Sequence, residues 1–155
     1  MHGQDPQTCI FCRVIAGDID HDVCVAVSGG FVAFPAKQQR PRNHGHMLLV
    51  PAVHVTTLQD LPTDLATGWL TATTALSNAV RSAFHATGVT IRMNLGPPGQ
   101  DIAHLHTHVI PRHPGDELPT TRSQNVPLAD RIAITHRLRP HLDAHRATGD
   151  PGALP

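Results

Sequence analysis

The chain of 155 residues is long enough for a domain with a packed core, because 40% of its residues are apolar. Only 15% are charged and the formal net charge is zero, which argues against a protein that binds duplex nucleic acid. The sequence has no run of about 18 apolar residues, so no membrane-spanning helix is expected. Residues 1–8 lack the layout of a secretory signal and the three cysteines are an odd number, so we expect a cytoplasmic protein.

The first predicted elements are strands. Two short apolar runs, residues 23–27 and 30–34, are separated by a Ser-Gly-Gly turn, which is typical of a β-hairpin. Residues 37–43 are polar and contain proline, so they are predicted to form a loop. The apolar run 46–55 predicts a third strand, in which Pro51 marks a bulge or an edge position.

The clearest periodic pattern predicts a helix over residues 63–85. Thr63 or Asp64 is suited to cap its first N–H groups, and Gly88 follows its end as a C-terminal glycine does. Apolar residues recur every three or four positions, which places them on one face of the helix. These residues are Leu65, Trp69, Ala72, Leu76, Val80 and Ala83.

The second half of the chain begins with two further predicted strands. They cover residues 89–95 and 102–111, and the tight turn Gly-Pro-Pro-Gly lies between them. Strands joined by so short a turn should be antiparallel. Residues 128–147 show a weaker helical pattern that we expect to break near Pro140.

These elements predict an α+β fold. We expect an antiparallel sheet of about five strands, one long packed helix and a C-terminal helical tail. No repeat or linker divides the sequence, so residues 1–155 are expected to form one domain. Within it, residues 113–155 form a C-terminal extension whose structure the pattern defines poorly.

Three histidines alternate with other residues in the stretch His104-Leu105-His106-Thr107-His108. On a strand, alternate residues share one face, so the imidazoles should form a row. Neighbouring imidazoles lower one another's pKa, and a neutral imidazole is a good nucleophile or metal ligand. Two other interpretations are a solvated polar face and one catalytic metal bound by all three rings. The metal interpretation usually needs a carboxylate or base, and none lies just downstream.

A second motif is the pair Cys9 and Cys12, whose spacing lets two thiolates bind one metal ion. His54 and His104 are available as further ligands. A redox role would require a βαβ context that this sequence does not show, and a buried inert pair is the other alternative. We predict a structural zinc ion. Cys24 lies in an apolar run and is expected in the core.

The third motif is the segment 94–101, which leads from one predicted strand to the histidines. Its glycines, such as Gly99, let backbone N–H groups approach an anion, and Asn94 and Gln100 add neutral donors. Most such turns only reverse the chain direction. The neighbouring histidines favour a substrate-binding role for this one.

These segments together resemble the histidine triad (HIT) family, and in particular its bacterial-type, zinc-containing, Hint-like members. The matching stretches are CIFCRVIAGDI (9–19), GHMLLVPAVH (45–54) and NLGPPGQDIAHLHTHVIPR (94–112). The resemblance implies a homodimeric hydrolase with a small-molecule, nucleotide-like substrate. This would be a nucleotide phosphoramidase or nucleotidyl hydrolase that cleaves phosphorus–nitrogen or phosphoric anhydride bonds. Alternatives are a dinucleoside polyphosphate hydrolase, a nucleotidyl transferase and a nucleotide-binding module without catalysis.

The resemblance also implies roles for individual residues. His106 is the expected nucleophile on the α-phosphorus, and His108 donates to a non-bridging oxygen. Gln100 lies near the leaving group, and His46 buttresses the triad or contacts phosphate. The expected substrate-binding residues are Asn94, Gly99, Asp101 and Phe34. The expected zinc ligands are Cys9, Cys12, His54 and His104, and no catalytic cofactor is implied.

Two departures from the family pattern concern nucleotide binding. Ala36 stands where the family usually has an aspartate that holds the ribose hydroxyls, and the loop that follows is longer. Asp101 stands where some branches have serine or threonine. The loop carries Lys37, Arg40 and Arg42, and cations suit phosphate rather than pairs of hydroxyls. We therefore expect weak discrimination for ribose and a greater dependence on the phosphate-bearing part of the substrate.

Overall fold

The computed structural model describes residues 5–148 of the chain. Residues 1–4 and 149–155 of the expected domain lie outside the described residues. A short 3₁₀ helix, Leu58–Asp60, precedes the long helix. The helices and strands are α1 (Ile10–Ala16), β1 (Val25–Ser28), β2 (Phe31–Pro35), β3 (Gln38–Gln39), β4 (Met47–Pro51), α2 (Thr63–Phe84), β5 (Gly88–Met93), β6 (Thr107–Arg112), β7 (Gln124–Asn125) and α3 (Leu128–Thr148).

Five strands form one sheet in the order β1-β2-β4-β6-β5, and every neighbouring pair is antiparallel. This confirms the predicted α+β fold with an antiparallel sheet, a long packed helix and a C-terminal helix. A second, two-stranded sheet pairs β3 with β7 and was not predicted, since each of its strands has only two residues. No described helix is long and apolar enough to cross a membrane.

The two faces of the large sheet carry different cores. On one face, α2 buries its apolar side against strand residues such as Leu49 and Val109, and α3 packs on α2, β1 and β2. On the other face, Phe11 of α1 and the N-cap residue Cys9 belong to a second apolar cluster that includes Phe34. Cross-strand pairs share a face, so Leu48 lies on the same side as its partner His108.

Helix α2 differs from its prediction at both ends. Its N-cap is Pro62 and no side chain caps it, so the predicted role of Thr63 or Asp64 is wrong. At the other end, His85 adopts the left-handed conformation with φ 52° and its N–H bonds to the carbonyl of Arg81. Gly88 is therefore not needed to end the helix and instead begins β5.

Three proline and strand predictions also need correction. Helix α3 continues through Pro140, because both Pro140 and His136 lie on its exposed side, where water can replace the lost hydrogen bond. Pro51 is the last residue of a central strand and pairs with Phe31, so it marks neither a bulge nor an edge. Strand β6 begins at Thr107, five residues after the start of the predicted strand over 102–111.

Candidate active site and metal centre

The histidine row lies where the chain enters β6. Only His108 belongs to the strand, so the expectation of one strand carrying all three rings is wrong for His104 and His106. Upstream of the strand, the chain leaves the ladder because the N–H of Leu105 bonds to the carbonyl of Val55 at 2.7 Å. The rings are nevertheless neighbours, since the centroids of His106 and His108 lie 5.1 Å apart.

His106 is held in one tautomer by the backbone. Its Nδ1 lies 2.7 Å from the carbonyl oxygen of His104. A carbonyl only accepts, so Nδ1 carries the proton and Nε2 carries the lone pair. Phe11 meets the ring edge-on, with centroids 5.3 Å apart and planes at 90°. Burial lowers the pKa of His106, although the His104 carbonyl and the charge of Asp101 oppose the shift. The ring is therefore neutral at pH 7 and carries an unprotonated Nε2.

His46 and His108 form a hydrogen-bonded pair. Nε2 of His46 lies 2.9 Å from Nδ1 of His108, so one ring donates and the other accepts. Burial is the main cause that lowers the pKa of His46 to about 4. Burial, followed by the neighbouring His46, lowers the pKa of His108 to about 3. Both rings are thus neutral at pH 7, which permits their close approach.

Gln39 holds the backbone on both sides of His46. Its Oε1 accepts from the N–H groups of Gly45 at 3.0 Å and His46 at 2.9 Å. Its Nε2 donates to the carbonyls of Ala36 at 2.8 Å and His46 at 2.9 Å. The side chain is 2% exposed, so these bonds are shielded from water. The sequence analysis treated this region as a loop and missed Gln39.

The turn before the triad is braced by its own amides. Gln100 accepts from the N–H of Gly96 at 2.7 Å and donates to the carbonyl of Thr56 at 2.8 Å. Asn94 donates to the carbonyl of Gly99 at 2.9 Å. Gly99 has φ +117°, a conformation that favours glycine. In this structure both amides therefore position the turn, which the sequence analysis expected to contact substrate.

The two other expected substrate-binding residues have different surroundings. Asp101 is exposed, and its charge raises the pKa of His106 against the larger effect of burial, so it lies near His106. Phe34 is 1% exposed and packs edge-on against Phe11, with centroids 5.2 Å apart. Phe34 therefore supports Phe11, which in turn contacts His106.

The four predicted metal ligands converge beside the triad. Their ligand atoms all lie within 4.8 Å of one another. The Sγ atoms of Cys9 and Cys12 each lie 3.5 Å from Nδ1 of His104, and Sγ of Cys12 lies 3.2 Å from Nδ1 of His54. These separations are close to the roughly 3.5 Å expected between nitrogen and sulfur ligands of tetrahedral zinc.

The donor chemistry of this cluster also fits zinc. Nε2 of His104 donates to the carbonyl of Pro51 at 3.0 Å, which leaves the Nδ1 lone pair facing the thiols. Burial, with a contribution from Cys9, raises the pKa of Cys12 to about 11. A bound divalent cation would reverse that shift, since it binds the thiolate. The cluster can therefore hold a metal ion.

Comparison with known proteins agrees with the motifs. The HIT domain family model matches residues 23–115. The chain belongs to the histidine triad family. A crystal structure of a zinc-bound histidine triad family protein from Mycobacterium smegmatis has a TM-score of 0.75 and 27% identity, and the match covers 93% of this chain and 99% of that one.

Two curated relatives are also similar to this HIT protein. Protein hit of Bacillus subtilis is 32% identical, over 69% of this chain and 72% of its own length. Adenylylsulfatase HINT3 of Arabidopsis thaliana is 29% identical, over 74% of this chain and 57% of its own length. The HIT chain described here thus spans little more than half of the plant relative.

This HIT protein has no carboxylate at Ala36, and the structure shows what surrounds that position. Ala36 is 6% exposed within the apolar cluster around Phe34. Asp20 is an acidic residue before the first strand, and its carboxylate is paired with Nη1 of the buried Arg131 at 2.5 Å. Arg131 also donates to the carbonyl of Pro35 at 3.3 Å. Asp20 is therefore already engaged by a cation.

A buried carboxylate in the loop after β6 was missed by the sequence analysis. Asp116 accepts from Nε and Nη2 of Arg112 at 2.6 and 2.9 Å, and from Nδ2 of Asn43 at 2.7 Å. The Arg112 guanidinium is the main cause that holds the pKa of Asp116 well below its usual range. Asn43 also donates to the carbonyl of Pro111 at 2.8 Å. This network fastens the loop before β4 to the end of β6.

Proposed function

We propose that this HIT protein is a nucleotide phosphoramidase or nucleotidyl hydrolase that forms a covalent nucleotidyl-His106 intermediate. The observation that carries the proposal is the bond from His106 Nδ1 to the His104 carbonyl, which directs an unprotonated Nε2 away from the backbone. Membership of the HIT family and the similarity to a protein named adenylylsulfatase support a nucleotide substrate.

The proposed reaction has two displacement steps. Nε2 of His106 attacks the α-phosphorus, a phosphorus–nitrogen bond forms, and the bond to the leaving group breaks with transfer of a proton to that group. That proton comes from solvent. Water then attacks the phosphorus and returns one proton to solvent, the nucleotide is released as the bond to His106 breaks, and the neutral imidazole, still protonated at Nδ1, is restored. As positive charge develops on His106, its Nδ1–H donates more strongly to the carbonyl of His104.

The hydrogen bond between His46 and His108 allows a pair of tautomers in which His108 can donate to the substrate phosphate. If Nε2–H of His46 donates to Nδ1 of His108, the single proton of His108 lies on its Nε2. That N–H can then donate to a non-bridging phosphate oxygen. We propose this arrangement, with the proton on Nε2 of both rings, because the opposite one would leave Nε2 of His108 without a proton to donate. Asn94, Gly99, Gln100 and Asp101 form the turn that would contact the phosphate and the leaving group.

We also propose that Cys9, Cys12, His54 and His104 bind one structural zinc ion. The zinc would contribute folding energy and would hold His104, whose carbonyl orients the nucleophile. The similarity to a zinc-bound family member supports this assignment. All four protein ligands fill a tetrahedral shell, so no open position for substrate is expected.

The remaining proposals concern assembly and location. We propose that residues 1–155 act as one HIT domain in the cytoplasm and form a homodimer. β5 lies at the edge of the large sheet, and Ile91 on it is 47% exposed. Leu70 on the adjoining helix α2 is 60% exposed, and Leu95 just after the strand is 47% exposed. A second copy of this chain is the proposed cover for these apolar residues.

The activity is tested by comparing wild type with His106→Ala on two substrates. Adenosine 5′-phosphoramidate and diadenosine tetraphosphate separate the phosphoramidase from the polyphosphate hydrolase. Wild type should release AMP faster from the phosphoramidate, and His106→Ala should keep less than about a thousandth of kcat. Faster cleavage of the polyphosphate would favour the alternative enzyme, and binding without turnover of either substrate would indicate a nucleotide-binding module.

A further inference from the structure

Arg92 extends the row of side chains that begins with the triad. It is the direct partner of His108 in the antiparallel register of β5 and β6, so both side chains lie on the same face of the sheet. Arg92 is exposed. Within residues 5–148 its guanidinium makes no ion pair, whereas Arg112 pairs with Asp116 and Arg42 pairs with Glu117.

Arg40 approaches the same place from the loop between β3 and β4. Its Nε donates to the carbonyl of Thr121 at 2.9 Å, which holds the half-buried side chain in place. No carboxylate among the described residues pairs with it. Gln39, the residue before Arg40, accepts a 2.9 Å hydrogen bond from the N–H of His46, so this loop runs beside His46. The charges of both Arg40 and Arg92 are among the smaller causes that lower the pKa of His46 and His108, which agrees with this placement.

His106 and His108 therefore have neighbours of opposite charge. Asp101 acts on His106, whereas two arginines without a carboxylate partner in the described part of the chain lie around His46 and His108. Arginine presents a planar fork of N–H donors that matches the oxygens of phosphate, sulfate and carboxylate. A site with unbalanced positive charge favours an anionic ligand.

We propose that Arg92 and Arg40 form an anion subsite beside His108, which binds a second anionic group of the substrate beyond the phosphorus attacked by His106. The inference rests on the proposed function, because it extends the same site. The second group is a further phosphate, a sulfate or a carboxylate. If the protein selects its substrate by this second anionic group, it does not need the ribose contact, for which Ala36 offers no carboxylate.

Binding to a protein that does not react tests the subsite. In a zinc-loaded His106→Asn background, calorimetry would compare inorganic phosphate with pyrophosphate, and AMP with ADP. Arg92→Ala and Arg40→Ala should each weaken the binding of pyrophosphate and ADP by about fivefold, the upper end of the range for an exposed charge pair. Phosphate and AMP should change by less than about twofold. Arg92→Lys should retain part of the preference for the longer anions.

A matched variant controls for net charge. Arg139→Ala removes an exposed arginine from α3 and should leave all four affinities unchanged. Equal weakening of AMP and ADP by Arg92→Ala, or the same selective loss in Arg139→Ala, would overturn the subsite. Adenosine 5′-phosphosulfate and an aspartate conjugate of AMP then separate sulfate and carboxylate from phosphate as the preferred second group.

The binding test of the subsite can succeed or fail independently of the proposed covalent mechanism. Pyrophosphate carries no nucleoside and His106→Asn has no nucleophile, so the affinities do not depend on the reaction. A selective loss of pyrophosphate binding, together with no covalent adduct in wild type, would leave the subsite standing and remove the proposed mechanism. A covalent adduct in wild type, without a selective loss of pyrophosphate binding in the arginine variants, would support the mechanism and overturn the subsite.

Discussion

The carbonyl oxygen of His104 accepts a 2.7 Å hydrogen bond from Nδ1 of His106. The ring of the same residue presents Nδ1 to Cys9 and Cys12, each at 3.5 Å. One residue therefore belongs to the metal cluster through its side chain and to the triad through its backbone. A change in the metal cluster should therefore alter the position of His106.

Removal of the metal should affect both stability and turnover. Purified protein should contain one zinc ion per chain, and Cys12→Ser should lower zinc content, Tm and kcat together, because His104 loses its anchor. Elemental analysis, thermal unfolding and turnover of adenosine 5′-phosphoramidate measure the three effects. Cys24→Ser is the matched control, since Cys24 lies outside the cluster and should keep full zinc content. Metal-free protein that is not stabilised by added zinc would contradict the site.

Loss of Gln39 should disturb His46. Gln39→Ala removes four hydrogen bonds to backbone and leaves buried groups unpaired, so we expect at least about 2 kcal/mol lower stability to urea and a reduced kcat. The neighbouring Gln38→Ala is the control, because Gln38 is exposed and should have little effect on either quantity. Equal kcat in Gln39→Ala and wild type would show that His46 does not need this support.

Several parts of this site could be predicted from the sequence because their signals are local. The spacing of Cys9 and Cys12 and the alternation of the histidines need no knowledge of tertiary structure. The periodicity of α2 is equally local, and the buried residues Ala72 and Leu76 lie on its predicted face.

Other parts depend on which distant segments meet. Gln39 lies in a two-residue strand that exists only because β7, far along the chain, pairs with it. Arg92 faces the triad only because β5 takes one particular register against β6. The predicted strand over 102–111 was too long because tertiary contacts, such as the bond from Leu105 to Val55, draw the chain out of the ladder.

The dependence of stability on pH should reveal the Asp116 network. Its pKa is lower in the folded protein than in the unfolded chain, so its contribution is present above about pH 4 and is lost as pH falls through the folded value. The difference in urea midpoint between wild type and Asp116→Asn should therefore be large at pH 7 and smaller at pH 3.5. The exposed Asp18→Asn is the control and should show no such trend. A difference that is independent of pH would contradict the network.

The proposed homodimer predicts the effect of charge on the exposed apolar residues. Ile91→Lys or Leu70→Glu should shift the sedimenting species from twice the chain mass of 16.7 kDa to the chain mass itself. Leu128→Glu changes a residue that is 40% exposed on α3 and should leave the dimer intact. Wild type that sediments as a single chain at micromolar concentration would exclude this assembly.

The central claim is the covalent bond to His106, and intact-mass spectrometry after brief reaction with adenosine 5′-phosphoramidate tests it most directly. Wild type quenched in alkali should gain the mass of one adenylyl group, which fragmentation places on His106. His106→Asn, which retains a polar side chain, should gain nothing under the same conditions. AMP release by wild type without any adduct, or an adduct that persists in His106→Asn, would contradict the mechanism.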